Sequence, residues 1–215
     1  MDKEGFALVD HVSSVTDFYD DDQIRDIYQR EAAALVQEIT GASKVVVFDN
    51  TRRSDAKAIR GERSTREPSA VVHNDYTDAS AEKRLRDILP DEADERLQHR
   101  FAIINVWRSI GGPVLTTPLA LCDASSVNDD TDLVATERRA KDRIGELQLV
   151  TWNPEHRWYW FSGMVKNEAA LIKTFDSAVD GRARRSIHTA FKNPRAPADA
   201  VPRESIETRT FAFFD

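Results

Sequence analysis

This sequence predicts a mainly β fold with a few flanking helices, and three observations carry that expectation. Short apolar or β-branched runs recur along the chain from Lys44 onward. Turn signals separate them, among them Gly111-Gly112-Pro113, Asn153-Pro154 and Asp180-Gly181. A sustained helical stripe is confined to one segment near the start. Many short strands with regular turns suggest a β-sandwich or barrel. A double-stranded β-helix, the jelly-roll or cupin-like arrangement, fits the count.

Each element has its own signal. Phe6-Ala7-Leu8-Val9 is a short apolar segment. Asp20, Asp21 and Asp22 then offer N-caps and negative charge at the positive end of a helix dipole. Ile24, Ile27, Tyr28, Leu35 and Ile39 mark the helical stripe, and Gly41 is a natural stop. Such a helix packs on the outside of a sheet. Lys44 to Phe48 reads as a buried strand. Thr51 to Pro68 is polar and basic, with Arg52, Arg53, Lys57, Arg60, Arg63 and Arg66, and reads as a mobile loop able to close over a barrel mouth. Val71-Val72-His73 starts the next strand. Ser80 to Leu89 is a short amphipathic helix capped by Ser80 and ended by Pro90, and Asp91 to Leu97 adds a turn. Further strands are expected at Phe101–Trp107, Leu119–Cys122, Glu146–Trp152, Arg157–Phe161, Ala170–Phe175, Ser186–Phe191 and Ile206–Phe214. Val127 to Lys141 is charged and reads as a surface excursion or short helix.

With 215 residues, one domain spanning 1–215 is expected, residues 1–42 supplying a strand and helix that pack on the barrel. The net charge of −7 argues against a general nucleic-acid partner, which needs a basic face. No apolar run approaches the ~20 residues that span a bilayer. The opening Met1-Asp2-Lys3-Glu4-Gly5 lacks the apolar core of a signal peptide. Cys122, the single cysteine, sits in an apolar run and reads as a core thiol. The expectation is a cytoplasmic protein. Oligomeric state is left open.

The candidate chemistry starts at His73-Asn74-Asp75. On a strand, residues i and i+2 share a face, so an imidazole and a carboxylate stand side by side. A second imidazole from another strand, His188, completes a two-histidine, one-carboxylate set. That set binds non-haem Fe(II) and leaves positions open for a cosubstrate and O₂. Five histidines and 37 acidic residues make the His-x-Asp spacing common, so the triplet alone does not separate a metal site from a solvated loop. His156, beside Asn153-Pro154, reads as a turn or supporting histidine. His11 and His99 have no carboxylate two places on and read as surface groups.

Several segments resemble one family in order along nearly the whole chain. They are Val45-Val46-Val47-Phe48-Asp49-Asn50-Thr51, Val72-His73-Asn74-Asp75-Tyr76-Thr77, Ile103-Ile104-Asn105-Val106-Trp107-Arg108 and Trp152-Asn153-Pro154-Glu155-His156-Arg157-Trp158-Tyr159. Ile172-Lys173-Thr174-Phe175-Asp176-Ser177, His188-Thr189-Ala190-Phe191 and Pro202-Arg203-Glu204-Ser205-Ile206-Glu207-Thr208-Arg209 complete them. Together they resemble the hydroxylase/desaturase group of natural-product oxygenases, which includes gibberellin desaturase, fumigatonoid endoperoxide synthase and the cephamycin methoxylation protein. The resemblance implies a double-stranded β-helix that uses Fe(II), 2-oxoglutarate and O₂ to hydroxylate, desaturate or cyclise a small metabolite. It also implies His73, Asp75 and His188 as the iron ligands. A metal-free binding or partner protein on the same barrel is the competing reading.

Two departures stand out. Relatives are often longer at the N-terminus, so part of a substrate lid is expected to be absent. Many 2-oxoglutarate enzymes carry an arginine about ten residues after the distal histidine; here that position is Ala198. Arg203 and Arg209 therefore compete for the distal carboxylate of 2-oxoglutarate, each against an ion pair with Glu204 or Glu207. Arg108 and Arg184 stand behind them as fallbacks. Asn105 and Trp107 share a strand face and are candidates to line the pocket, with ordinary core as the competing reading for Trp107. Of Trp158, Tyr159, Trp160 and Phe161, one alternate pair is expected in the core and the other at the substrate cavity. Arg182, Arg184 and Arg185 read as a solvated hairpin tip that could steer an anion. The basic loop suits a carboxylate-bearing substrate, with a neutral terpenoid or polyketide as the alternative.

Overall fold

Alternation along the strand Glu204–Phe214 explains how the molecule is layered. Ile206 and Ala212 point to one face and pack beneath a helix; Ser205, Glu207, Arg209 and Phe211 point to the other, toward a second sheet. A computed structural model describes residues 1–63, 65–140 and 143–214. Its strands are β1 (Phe6–Asp10), β2 (Lys44–Ser54), β3 (His73–Asn74), β4 (Arg100–Ser109), β5 (Leu119–Cys122) and β6 (Leu133–Ala140). They continue as β7 (Arg143–Val150), β8 (Trp158–Trp160), β9 (Glu168–Asp176), β10 (His188–Ala190) and β11 (Glu204–Phe214). One antiparallel sheet has the order β1-β9-β4-β11-β2 and the other β6-β7-β3-β10-β5-β8. Two facing antiparallel sheets with non-sequential neighbours are the expected jelly roll.

The N-terminal helical segment begins where Asp20 accepts hydrogen bonds from the amides of Asp22 and Gln23. One π turn, Ile24–Tyr28, leads into the helix Gln29–Thr40. Gly41, at φ 70°, ends it with a left-handed residue. Ala32, Leu35 and Val36 pack on Ala102, Ile104, Val106 and Leu171 of the large sheet. Ile39, expected in that stripe, is 40% exposed.

Between the sheets, the core divides along the strands. At one end Phe101, Phe175, Phe211 and Phe213 pack with Tyr76 and Leu85. At the other Trp107, Leu121, Ala170 and Ile172 pack with Met164 and Val114. The polar site lies between these clusters.

Several boundaries differ from expectation. β2 continues through Ser54, because Arg52 and Thr51 pair with Ile206 and Glu207 of a central strand. The basic stretch beyond it holds a short helix, Lys57–Glu62, and returns through a bridge between Arg53 and Arg66; Ser64 lies outside the described residues. The helix expected from Ser80 starts at Asp78, with Thr77 as its cap. Thr77 and Ser80 form a reciprocal capping box. The charged stretch from Val127 is a short helix, Asp129–Asp132, followed by β6, which pairs with β7 from Leu133↔Val150 to Ala140↔Arg143. Lys141 lies outside the described residues.

Candidate active site

His73 and His188 are direct cross-strand partners in the smaller sheet, so antiparallel pairing places their rings on one face. The ring centroids are 4.6 Å apart. Asp75 follows β3 by one residue, and its Oδ1 lies 3.6 Å from His73 Nε2. The three residues offer ligand atoms that all lie within 4.8 Å of one another. Each imidazole is oriented by a backbone carbonyl: Nδ1 of His73 is 2.7 Å from the Val71 oxygen and Nδ1 of His188 is 3.1 Å from the Ser186 oxygen. A carbonyl only accepts, so Nδ1 carries the proton and Nε2 keeps a bare lone pair. This is the usual preparation of a metal-binding histidine.

Electrostatics agree with that preparation. Burial opposes ionisation of Asp75, but Arg209 and the two imidazoles outweigh it and hold the carboxyl well below its ordinary range. Burial, and then its neighbour His73, lower the pKa of His188. For His73, burial opposes protonation, yet Asp75 and the Val71 carbonyl prevail and raise its pKa. Two neutral-capable imidazoles and one ionised carboxylate, converging at this distance, fit a single Fe(II) ion.

The histidines line a small cavity of about 20 Å³, partly open to solvent. Trp107, Leu119, Ile172 and Ala190 give it apolar walls; Arg53, Arg203 and Glu207 supply charge. Arg203 is 3% exposed. Its Nε donates to Ser205 Oγ at 3.1 Å and its Nη1 to the Thr117 carbonyl at 2.8 Å, while the guanidinium carbon sits 4.9 Å from the centre of the Trp107 ring. Among the described residues no carboxylate pairs with it. Burial pulls its pKa down to about 10 despite the pull of Asp55. Arg209 is different. It donates to Asp49 at 2.7 Å, Asp75 at 3.1 Å and Glu207 at 3.2 Å.

The remaining sequence candidates fall elsewhere. Asn105 is fully buried on β4 and bridges Asp75 and Glu207. Trp107 is both core and cavity wall. Arg108 lies on the opposite face of β4, under the Tyr28 ring and against His11. His11, read as a surface group, is thus a partner of a buried arginine. His156 Nε2 donates to Asp132 at 2.9 Å, is absent from the cavity lining, and pins the Asp129–Asp132 helix to the turn before β8. Trp158, Tyr159 and Trp160 are all exposed on the edge strand β8, and none lines the cavity. Only Phe161 of that run joins the core, beside Phe6. Arg185 is buried rather than solvated, paired with Asp78 and Asp129, while Arg184 also binds Asp78. These arginines line a separate open cleft of about 470 Å³. Glu207 and Arg53 were missed as cavity residues; their alternation with Arg203 and Arg209, and with Thr51, was the available signal.

A jelly roll with two histidines and one carboxylate at a cavity end defines the class of mononuclear iron oxygenases. Similarity to known proteins narrows it further. A family model described as an oxidoreductase/YMDC permease-like domain matches residues 1–213. Among the described residues, no helix is long and apolar enough to cross a membrane. Hydroxylase/desaturase CTB9 of Cercospora beticola is 38% identical over the whole chain, which spans 72% of that protein. Hydroxylase/desaturase efuI of Hormonema carpetanum is 34% identical over the whole chain, which spans 79% of it. The solved structure of the iron and alpha-ketoglutarate-dependent endoperoxidase NvfI superposes with a TM-score of 0.90 at 31% identity, over 99% of this chain and 80% of that one. The chain belongs to the hydroxylase/desaturase group of Fe(II)/2-oxoglutarate-dependent oxygenases.

Proposed function

We propose that this chain uses His73, Asp75 and His188 to hold Fe(II), and Arg203 to anchor 2-oxoglutarate, in oxidising a small metabolite of natural-product biosynthesis. The observation that carries the reading is the convergence of the three ligand atoms within 4.8 Å, with His73 and His188 lining a cavity that also holds a buried Arg203 with no carboxylate partner among the described residues. When bound with 2-oxoglutarate and O₂, the iron supplies the oxidising power to take hydrogen from a C–H bond, with succinate and CO₂ as the coproducts.

The chain's own residues set up that chemistry. The Val71 and Ser186 carbonyls hold the protons on the two Nδ1 atoms and so aim both Nε2 lone pairs. Ser205 and Thr117 engage Nε and Nη1 of Arg203, which leaves Nη2 for the distal carboxylate of the cosubstrate. Arg209 is satisfied by three carboxylates, which argues for Arg203 in the competition between them. Trp107, Leu119 and Ile172 exclude water from the reacting end. Arg53 and Ser69 bring the flanks of the basic stretch to the same cavity, where they would meet the substrate. Hydroxylation, desaturation and oxidative cyclisation diverge only after hydrogen removal, so the substrate's placement decides among them.

We further propose that the whole chain works as one oxygenase domain in the cytoplasm, on a small molecule and without nucleic-acid or membrane partners. The buried single thiol Cys122 and the net charge of −7 support this.

The test is O₂-dependent succinate formation from 2-oxoglutarate by protein loaded anaerobically with Fe(II), run beside the absorption of the anaerobic Fe(II)/2-oxoglutarate complex. Both signals are expected. No metal binding at all would leave the barrel as a metal-free binding protein. Screening carboxylate-bearing against neutral terpenoid or polyketide candidates by succinate release then separates the substrate classes.

A further inference from the structure

A second layer of polar side chains stands behind Asp75, and each of its members comes from the other sheet. Asn105 Nδ2 lies 2.8 Å from Asp75 Oδ2 and 2.5 Å from Glu207 Oε1. Between two carboxylates an amide must present its NH₂ end, because its oxygen would repel both, and the NH₂ group has one proton for each. Arg209 Nε donates to the same Asp75 Oδ2 at 3.1 Å. Its Nη2 donates to Glu207 Oε2 at 3.2 Å and its Nη1 to Asp49 Oδ2 at 2.7 Å. Glu207 therefore touches both donors without touching Asp75: one oxygen orients the amide, the other the guanidinium. The result is asymmetric. Asp75 Oδ2 accepts two hydrogen bonds from the large sheet, while Oδ1 is the oxygen on the His73 side, 3.6 Å from its Nε2.

We propose that Asn105, Arg209 and Glu207 are positioning residues that restrict Asp75 to metal ligation through Oδ1 alone; the inference rests on the metal-centre reading above. The consequence is one of coordination number. Two imidazoles and one carboxylate oxygen occupy three places of a six-coordinate ion and leave three, two for a chelating keto acid and one for O₂. A carboxylate gripping the ion with both oxygens would leave only two. The large sheet thus controls, from behind the ligand, how many places remain on the side of the small one.

The experiment compares the full-length apo protein with Asn105→Ala, Arg209→Lys and Glu207→Gln. Each is titrated anaerobically with Co(II) as an iron substitute, followed by its visible d–d bands, and then with 2-oxoglutarate. Unfolding midpoints without metal are measured alongside. Asn105→Ala and Arg209→Lys are expected to bind Co(II) about 10- to 100-fold more weakly, the usual cost of losing a ligand's support. Their bands should also change less when 2-oxoglutarate is added. Lysine keeps the charge of Arg209 but cannot reach three carboxylates at once. Glu207→Gln, which keeps an acceptor for Asn105 but not a second one for Arg209, should fall between. If Arg209→Lys does not fold, the other two variants decide. Folded variants with wild-type Co(II) affinity and a wild-type 2-oxoglutarate response would overturn the proposal and leave the network a purely structural ion cluster. A wild-type chain that binds no Co(II) would instead overturn the metal reading, and this proposal with it.

Discussion

Arg203 and Arg209 share a face of the chain that enters and forms β11, yet their surroundings differ in charge. Arg209 is surrounded by Asp49, Asp75 and Glu207, whereas among the described residues Arg203 has only neutral hydrogen-bond partners for its side chain. A buried guanidinium without a carboxylate is held at a cost that an incoming anion relieves. Replacing Arg203 with Met is therefore expected to raise the 2-oxoglutarate requirement about 10- to 150-fold, the equivalent of a charge-assisted contact worth about 1.5–3 kcal/mol, with metal affinity nearly unchanged. A titration of succinate formation against 2-oxoglutarate, beside metal binding, checks the split. An unchanged requirement would move the anchor to Arg53, since Arg108 faces the far side of β4 and Arg184 is bound to Asp78. At this scale the spacing of His73 and Asp75 was readable, because a two-residue period fixes a shared face. His188 was not readable from spacing. Which distant strand becomes a neighbour is decided by sheet order; a barrel allows an early and a late strand to meet, and the resemblance singled out this pair. The contacts of Asn105 were hidden for the same reason: alternation gives a face, not the partner across the sandwich.

Among the elements, the β6–β7 hairpin was half concealed: its second strand was expected at Glu146–Trp152, its first was not expected as a strand. Its first strand, Leu133 to Ala140, is charged and half-exposed at a sheet edge, where charge is tolerated and discourages edge-to-edge pairing. The hydrophobic alternation that reveals buried strands is absent there, so charge read as a surface excursion or short helix. The short helix before it, Asp129–Asp132, is anchored by Asp132. That carboxylate accepts from the Asn128 amide at 2.9 Å and the Asn153 side chain at 3.2 Å, and it pairs with His156 at 2.9 Å. The Asn128 amide, followed by His156 and Asn153 against the opposing effect of burial, lowers its pKa to about 2. A depressed carboxylate pKa sets the sign. The stabilisation is present above the ordinary carboxylate value of 3.8 and is lost as the pH falls through about 2. Asp132→Asn should lower the thermal midpoint most above pH ~4, and the gap to wild type should close toward pH ~2. A constant gap across that range would show that ionisation of Asp132 is not what holds the helix.

For the whole molecule, the fold class was legible from strand count and turn signals, since a jelly roll is what many short antiparallel strands without crossover helices can build. What was not legible is that the candidate ligands and their supports come from opposite sheets. That arrangement couples the metal to global stability, because an unfolded chain cannot assemble the set. Adding Co(II) at about 100 times its dissociation constant should stabilise the fold by about 2.7 kcal/mol. His188→Ala or His73→Ala should abolish the rise in thermal midpoint while leaving the apo protein folded. Persistence of the full rise in both variants would mean that the ion binds elsewhere.

The order of the large sheet has a consequence for how the molecule comes into being. β11 is the last described strand, yet it lies between β4 and β2, pairing with both along nearly its whole length. During synthesis β4 is complete at Ser109, and its central neighbour begins only at Glu204. At about 5–20 residues per second that gap is a wait of roughly 5–20 s. Throughout it β2 has no strand beside it and β4 keeps an open edge, a template for another nascent chain. The centre of the sheet is thus the last piece to be delivered, and closure is long-range and slow. Pulse-labelling hydrogen exchange on the refolding chain should find the β2 and β11 amides gaining protection together, after the β6–β7 hairpin.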